Sequence, residues 1–287
     1  MDWPNELKNS LVKQQTVLYL GSGVSHNATD ANGNHPKTWR SLIEFAMNNR
    51  GLSQDKKDVI QKYLDKEDLV FAGQLLKNML GEDDFYNFLE GELKTNYRYA
   101  SIHEDLFTLN QKIVVTPNFD TIYDSYAKSN DHTIGVYSYK QANSIVDNIR
   151  KIQMVIIKSH GSIDEVRDVI FSYSDYCNAR TQYSLFYEVL NSLLTTKTFL
   201  FIGAGLNDPD IKMLLEDNKY KYQTLAKHYF VIPNDEIGEY EKTVYEETMG
   251  IKFLTFNKAN GYEELMISLH SLADYVDGMS NNTTRLP

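Results

Sequence analysis

Apolar residues fall into two kinds of run along this chain. Short, nearly unbroken runs stand at 16–20 (TVLYL), 112–117 (KIVVTP), 153–159 (QMVIIKS), 198–203 (TFLFIG) and 228–232 (HYFVI), and further strands are predicted at 133–137, 168–171 and 251–256 (IKFLTF). Strands that are apolar throughout, rather than alternating, are those of a parallel sheet covered by helices on both faces. Elsewhere apolar positions recur every three or four residues, predicting helices over 121–127, 140–148, 175–195, 209–217, 236–248 and 261–276. Asp2 and Pro4 suit a helix start, with Leu7 and Leu11 on one face, and the last twelve residues read as frayed.

One stretch breaks the alternation. After a polar loop at 25–37, Thr38 is placed to cap a helix carrying Trp39, Leu42, Ile43, Phe45 and Ala46. Further helical patterns follow at 53–64, 68–80 and 83–93, with no strand until residue 112. A block of that length is too long for a plain crossover. The pattern therefore predicts an α/β fold: a Rossmann-like parallel sheet with helices on both faces and a helical insertion over 38–109. With no repeat or low-complexity linker, residues 1–287 read as a single domain.

Composition narrows the function. A formal net charge of −10 argues against gripping a nucleic-acid backbone, which needs concentrated positive charge. Cys177 is the single cysteine, so neither an intrachain disulfide nor a four-cysteine metal site is possible, and no metal is expected. No run reaches the roughly 18–20 apolar residues that span a bilayer, and MDWPNELKNS has no signal-like segment, so no membrane association and a cytoplasmic location are expected. Twenty tyrosines and thirteen phenylalanines suit aromatic core packing or a surface for a protein partner.

Candidate chemistry sits where apolar strands stop. In GSGVS, Gly21 and Gly23 let the backbone turn tightly and approach a pyrophosphate, or serve the turn alone. His26 takes the position of a third glycine. Glu44 is near the spacing of a ribose-binding acid but lies inside a helical pattern, so a plain nicotinamide dehydrogenase is not indicated. Ser25 suits either a phosphate or a loop cap, and Trp39 either ligand stacking or core. In TPNFD, Asn118 offers an acceptor and a donor to a ribose hydroxyl or water, or bonds its own turn; Asp120 suits a helix cap. His160 ends VIIKSH before Gly161 and Ser162, a stop that brings an imidazole able to take a proton to the sheet edge. Lys158, two residues earlier, suits a phosphate or a carboxylate. FIGAGLNDPDI adds Gly203 and Gly205, then Asp208 and Pro209 as a helix opening.

GSGVS, TPNFD, KSHGSI and FIGAGLNDPDI, in that order, resemble the sirtuin-like (SIR2-like) domains of bacterial anti-phage defence effectors. The resemblance runs from about residue 16 to about 215. It implies Asn118 and His160 as the catalytic pair and Gly21, Ser22, Gly23, Val24 and Ser25 as a pyrophosphate-binding turn. It also places Asp120, Gly203, Gly205 and Asp208 on the bound dinucleotide, the last three near its adenosine half. Two departures stand out: Pro117 replaces a threonine of the motif, and the zinc cysteines of sirtuin deacylases are missing.

The resemblance therefore implies NAD+ as substrate, cleaved by water to nicotinamide and ADP-ribose, with glycine turns and helix N-termini holding the pyrophosphate. NAD depletion on phage infection would need gating, so a homo-oligomer, or a separate sensor or activator protein, is expected as partner. The alternatives are a catalytically idle NAD- or nucleotide-sensing or protein-interaction module and, after it, a deacylase.

Overall fold

The computed structural model describes residues 1–151, 153–206, 208–222 and 227–283. Seven strands form one sheet: β1 (Thr16–Leu20), β2 (Ile113–Thr116), β3 (Gly135–Ser138), β4 (Val155–Lys158), β5 (Thr198–Ile202), β6 (His228–Pro233) and β7 (Ile251–Phe256). Their spatial order is β3-β4-β2-β1-β5-β6-β7, and each pairing is parallel. The chain builds outward from β1 to one side as far as β3, then returns to its other side with β5. That reversal makes the carboxyl ends of β1, β2 and β5 the switch point where such sheets hold ligands.

Helix α1 (Asn5–Val12) leads into β1, and a single turn, α2 (Ser22–Ser25), follows it. Then come α3 (Trp39–Asn49), α4 (Gln54–Leu64), α5 (Leu69–Leu80) and α6 (Glu82–Leu93) with no strand between them. Helix α7 (Ser101–Thr108) precedes β2, and α8 (Ile122–Asn130) follows it. Helix α9 (Ala142–Ile149) joins β3 to β4, while α10 (Tyr173–Gln182) and α11 (Ser184–Thr196) join β4 to β5. Helices α12 (Pro209–Lys221), α13 (Glu239–Met249) and α14 (Ala259–Thr283) alternate with the last strands.

Both faces of the central strands are buried, as their unbroken apolar runs require. Leu18, Leu20, Val114, Ile156, Leu200 and Val231 pack under α1, α7, α8 and α14. Val17, Tyr19, Val115, Ile157, Phe199, Phe201 and Phe230 pack under α9 to α13. Each fully buried side chain of this size contributes roughly 1.5–3 kcal/mol. The insertion has its own core, in which Ile43, Leu64, Leu76, Phe85 and Phe88 close on Ile163, Val169 and Phe171 from the segment after β4. Thr38 caps α3 as predicted, its side chain accepting from the Ser41 amide, and Asp68 caps α5 by accepting from Phe71.

The structure differs from the sequence reading at four places. Residues 168–171 form no strand; Asp168 ends a helical turn, and Val169 and Phe171 bury their side chains in the insertion core instead. A three-residue apolar run carries no periodicity that could separate these outcomes. The helix expected over 175–195 is two helices, broken at Tyr183. Helix α7, inside the expected 38–109 block, packs on the sheet through Ile102 and Leu106, so the helices with their own core are α3 to α6. The chain end expected to fray is helical through Thr283 and anchored by buried Val276; residues 284–287 lie outside the described ones. No helix among the described residues is long and apolar enough to cross a membrane.

Candidate active site

At the carboxyl edge of the sheet a cavity of about 230 Å³ opens between the strand ends and the insertion. The strand ends contribute Gly21, Ser22, Pro117, Asn118, Phe119, Asp120, His160, Ala204, Gly205 and Asp208, with Tyr19 at the base. The insertion and its entry supply the opposite wall, including Trp39, Leu42, Leu69 and Leu93, and bring the cations Lys37 and Arg40.

Two glycine turns meet beneath this cavity. The Gly21 amide continues the β5 ladder to Ile202, and the Gly23 amide donates to the Gly203 carbonyl at 2.8 Å. A Cβ on Gly21 would lie 2.3 Å from the Gly203 oxygen, and one on Gly203, whose φ is +62°, would lie 2.5 Å from the Val24 nitrogen. Both positions therefore require glycine, for the closeness of the turns and, at Gly203, for its backbone angle. Gly23, Ser25 and Gly203 do not reach the cavity wall; they form the support behind it.

Asn118 is oriented by that support. Its Nδ2 donates to the Gly21 carbonyl at 2.9 Å and to Ser25 Oγ at 3.0 Å. A carbonyl can only accept, so the amide orientation is fixed and Oδ1 remains an acceptor for a ligand. Thr116 Oγ1 donates to the Leu20 carbonyl and accepts from the Asn118 amide, clamping the loop against β1. Ser25 thus resolves as the partner of Asn118. Asp120 caps the next turn by accepting from the Ile122 amide at 3.0 Å while lining the cavity.

Lys158 meets protein groups rather than the cavity. Its buried Nζ donates to the Asp120 carbonyl and lies 3.4 Å from Asp124 Oδ1. One cation thereby ties the strand of His160 to the loop of Asn118. Burial raises the Asp124 carboxyl above its ordinary range even beside that lysine.

His160 is 5% exposed, with Nε2 3.3 Å from Asp208 Oδ2 and its ring edge-on to Tyr176 at 5.2 Å. The Tyr19 hydroxyl donates to the same Oδ2 at 2.7 Å. Burial, and then the negative Asp208, raise the Tyr19 phenol well above its usual value, so it stays a donor. Asp208 Oδ1 caps α12 by accepting from the Asp210 and Ile211 amides, the helix opening that the sequence indicates. Behind it, Arg180 Nε donates to Asp210 at 2.6 Å and the Tyr187 hydroxyl at 2.8 Å. Burial, followed by Asp208, raises the Asp210 carboxyl. His160, Asp208 and Asp210 bring one atom each within 4.8 Å of one another, the composition of a cation site. The carboxylates are already held by Tyr19, Arg180 and Tyr187.

A model of the SIR2-like domain matches residues 112–254, a span containing Asn118, His160 and Asp208. The chain carries a SIR2-like domain. Relatives extend the likeness toward the N-terminus: "Defense-associated sirtuin 2" of Bacillus subtilis is 23% identical over 253 residues, 87% of this chain and 24% of that protein. "NAD(+) hydrolase ThsA" of Enterococcus faecium is 24% identical over 229 residues, 78% of this chain and 44% of its own length. The protein of that name from Bacillus cereus (strain MSX-D12) is 20% identical over 235 residues, 80% and 46% respectively. The chain thus spans from 24% to 46% of the length of these relatives.

Within the SIR2-like domain the strand-end motifs identified from sequence converge on one cavity. Tyr19, Arg180 and Tyr187 carry no local signal of a site, since strand order and helix docking bring them to Asp208 and Asp210. Leu42, Leu69 and Leu93 carried no local signal, since only the docking of the insertion brings them to the site.

Proposed function

We propose that the SIR2-like domain cleaves NAD+ with water, releasing nicotinamide and ADP-ribose. The observation that carries this reading is the meeting of Asn118 and His160, from separate strands, at one cavity over two joined glycine turns. The names of the relatives, two of them NAD(+) hydrolases, support it.

The chemistry suits such a site. The bond between the nicotinamide nitrogen and C1 of its ribose breaks with its electron pair passing to the ring, which neutralises the pyridinium charge. No general acid is required, unlike the departure of a sugar oxygen. Asn118 Oδ1, free because Nδ2 is committed to Gly21 and Ser25, accepts from the attacking water or a ribose hydroxyl and keeps it in line. The water oxygen bonds to C1, and His160 takes its proton and returns it to solvent. If an adenine nitrogen reaches C1 first, the product is cyclised instead. Lys37 and Arg40 line the cavity while paired with Glu92 at 2.8 Å and Glu44 at 3.4 Å, and the Gly21–Ser22 turn lies open to the pyrophosphate.

In this reading the domain is a gated, NAD-depleting effector of defence against phage, acting in the cytoplasm as a homo-oligomer or under a separate sensor protein. Incubating the purified chain with NAD+ and separating the products tests the chemistry. Nicotinamide formed without an acyl-peptide is expected. Binding without release, with and without co-purifying partners, would instead mark an idle nucleotide-sensing module.

A further inference from the structure

Asp208 makes more contacts than a helix cap needs. One oxygen, Oδ1, satisfies the first amides of α12, accepting from Asp210 at 3.0 Å and from Ile211 at 3.4 Å. The other, Oδ2, is held by the Tyr19 hydroxyl at 2.7 Å and faces His160 Nε2 at 3.3 Å. The carboxylate therefore joins three strand ends: β1 through Tyr19, β4 through His160 and β5 through its own loop.

We propose that Asp208 is a positioning residue for His160: Oδ2, locked by Tyr19, fixes the imidazole at the cavity rim and offsets the charge that the ring gains on taking a proton from water. This is the arrangement in which a base is itself oriented by a third group. Its catalytic consequence rests on the NAD-cleaving reading; the pairing itself does not.

The other groups around the ring leave this role to Asp208. Asp210, also from α12, comes within 4.8 Å, but its oxygens are taken by Arg180 and Tyr187. Tyr176 of α10 presents its ring edge-on, with the Arg180 guanidinium over that ring at 5.9 Å. Lys158, on the same strand end, is engaged with Asp120 and Asp124. Asp208 is the carboxylate whose oxygen meets the imidazole directly.

Asp208→Asn tests the proposal, because asparagine caps a helix about as well as aspartate and keeps its shape while removing the charge. Tyr19→Phe removes only the hydroxyl that locks Oδ2. In nicotinamide release, Asp208→Asn should lower kcat by about tenfold or more. The acid limb of its kcat–pH profile should move to lower pH, since the charged ring loses the carboxylate 3.3 Å away. Tyr19→Phe should act in the same direction but less. Parental turnover with an unmoved limb overturns the proposal, as does a lower kcat with an unmoved limb, which a cap alone would give.

NMR titration of the ring, assigned by comparison with His160→Gln, reads the pair without turnover. A midpoint lower in Asp208→Asn than in the parent supports the pairing even if no nicotinamide is released, in which case only the NAD-cleaving reading fails. An unmoved midpoint overturns the proposal in an active chain as well.

Discussion

Acid should weaken this fold through one buried histidine at the amino edge of the sheet. His228 opens β6 at 2% exposure, and its Nδ1 accepts from the Phe199 amide at 3.1 Å, the entrance to the strand that ends at Gly203. An amide can only donate, so Nδ1 must stay unprotonated to keep this bond. Burial lowers the ring's pKa to about 4, against roughly 6.5 in an unfolded chain. The unfolded state therefore binds more protons between these values, and stability must rise with pH across that window. The contribution is fully present above about pH 6.5 and fades as pH falls toward 4. At pH 5 the loss relative to pH 8 amounts to about 2 kcal/mol.

Urea unfolding of the parent and of His228→Asn at pH 8 and pH 5 isolates the effect. The asparagine oxygen can replace the acceptor but does not titrate, and the other histidines act alike in both proteins. The parent should lose about 2 kcal/mol more than the variant between the two pH values. Equal losses would refute both the neutral buried ring and the role given to its hydrogen bond.

Gly203→Ala should destabilise by about 1–3 kcal/mol and abolish nicotinamide release, because its φ of +62° and a Cβ 2.5 Å from the Val24 nitrogen leave no room. Parental unfolding and activity would contradict the close approach of the two turns. Lys158→Met strands the buried Asp124 carboxylate and should cost about 3–5 kcal/mol, recovered in part when Asp124→Asn is added; a double-mutant cycle with no coupling would refute the pairing.

The scaffold was legible because its strands are short, apolar throughout and bounded by glycine or polar residues. Thr38 announced a helix start through capping chemistry that operates within one turn. Residues 169–171 misled because three buried apolar residues look alike whether a strand or an irregular segment buries them. At the site, Asn118 and His160 were legible as polar stops after apolar runs. The orientation of Asn118 was not, since it depends on a carbonyl 97 residues away. Asp208 looked like a cap and is one; its second oxygen on Tyr19 and His160 follows from strand order. The apolar wall from Leu42, Leu69 and Leu93 belongs to the docking of the insertion, which no periodicity encodes.

The most direct test of the central claim is nicotinamide release from NAD+ by the parent, His160→Ala and Asn118→Ala, with unfolding followed on the same preparations. Both side chains are small and lie at the cavity rather than in a sheet core, so the variants should stay folded. The account predicts that the parent releases nicotinamide and that His160→Ala is slower by roughly 10²–10⁴-fold, as expected for loss of a proton acceptor. Asn118→Ala should be strongly impaired as well. A folded His160→Ala chain that turns over NAD+ at the parental rate would contradict the account.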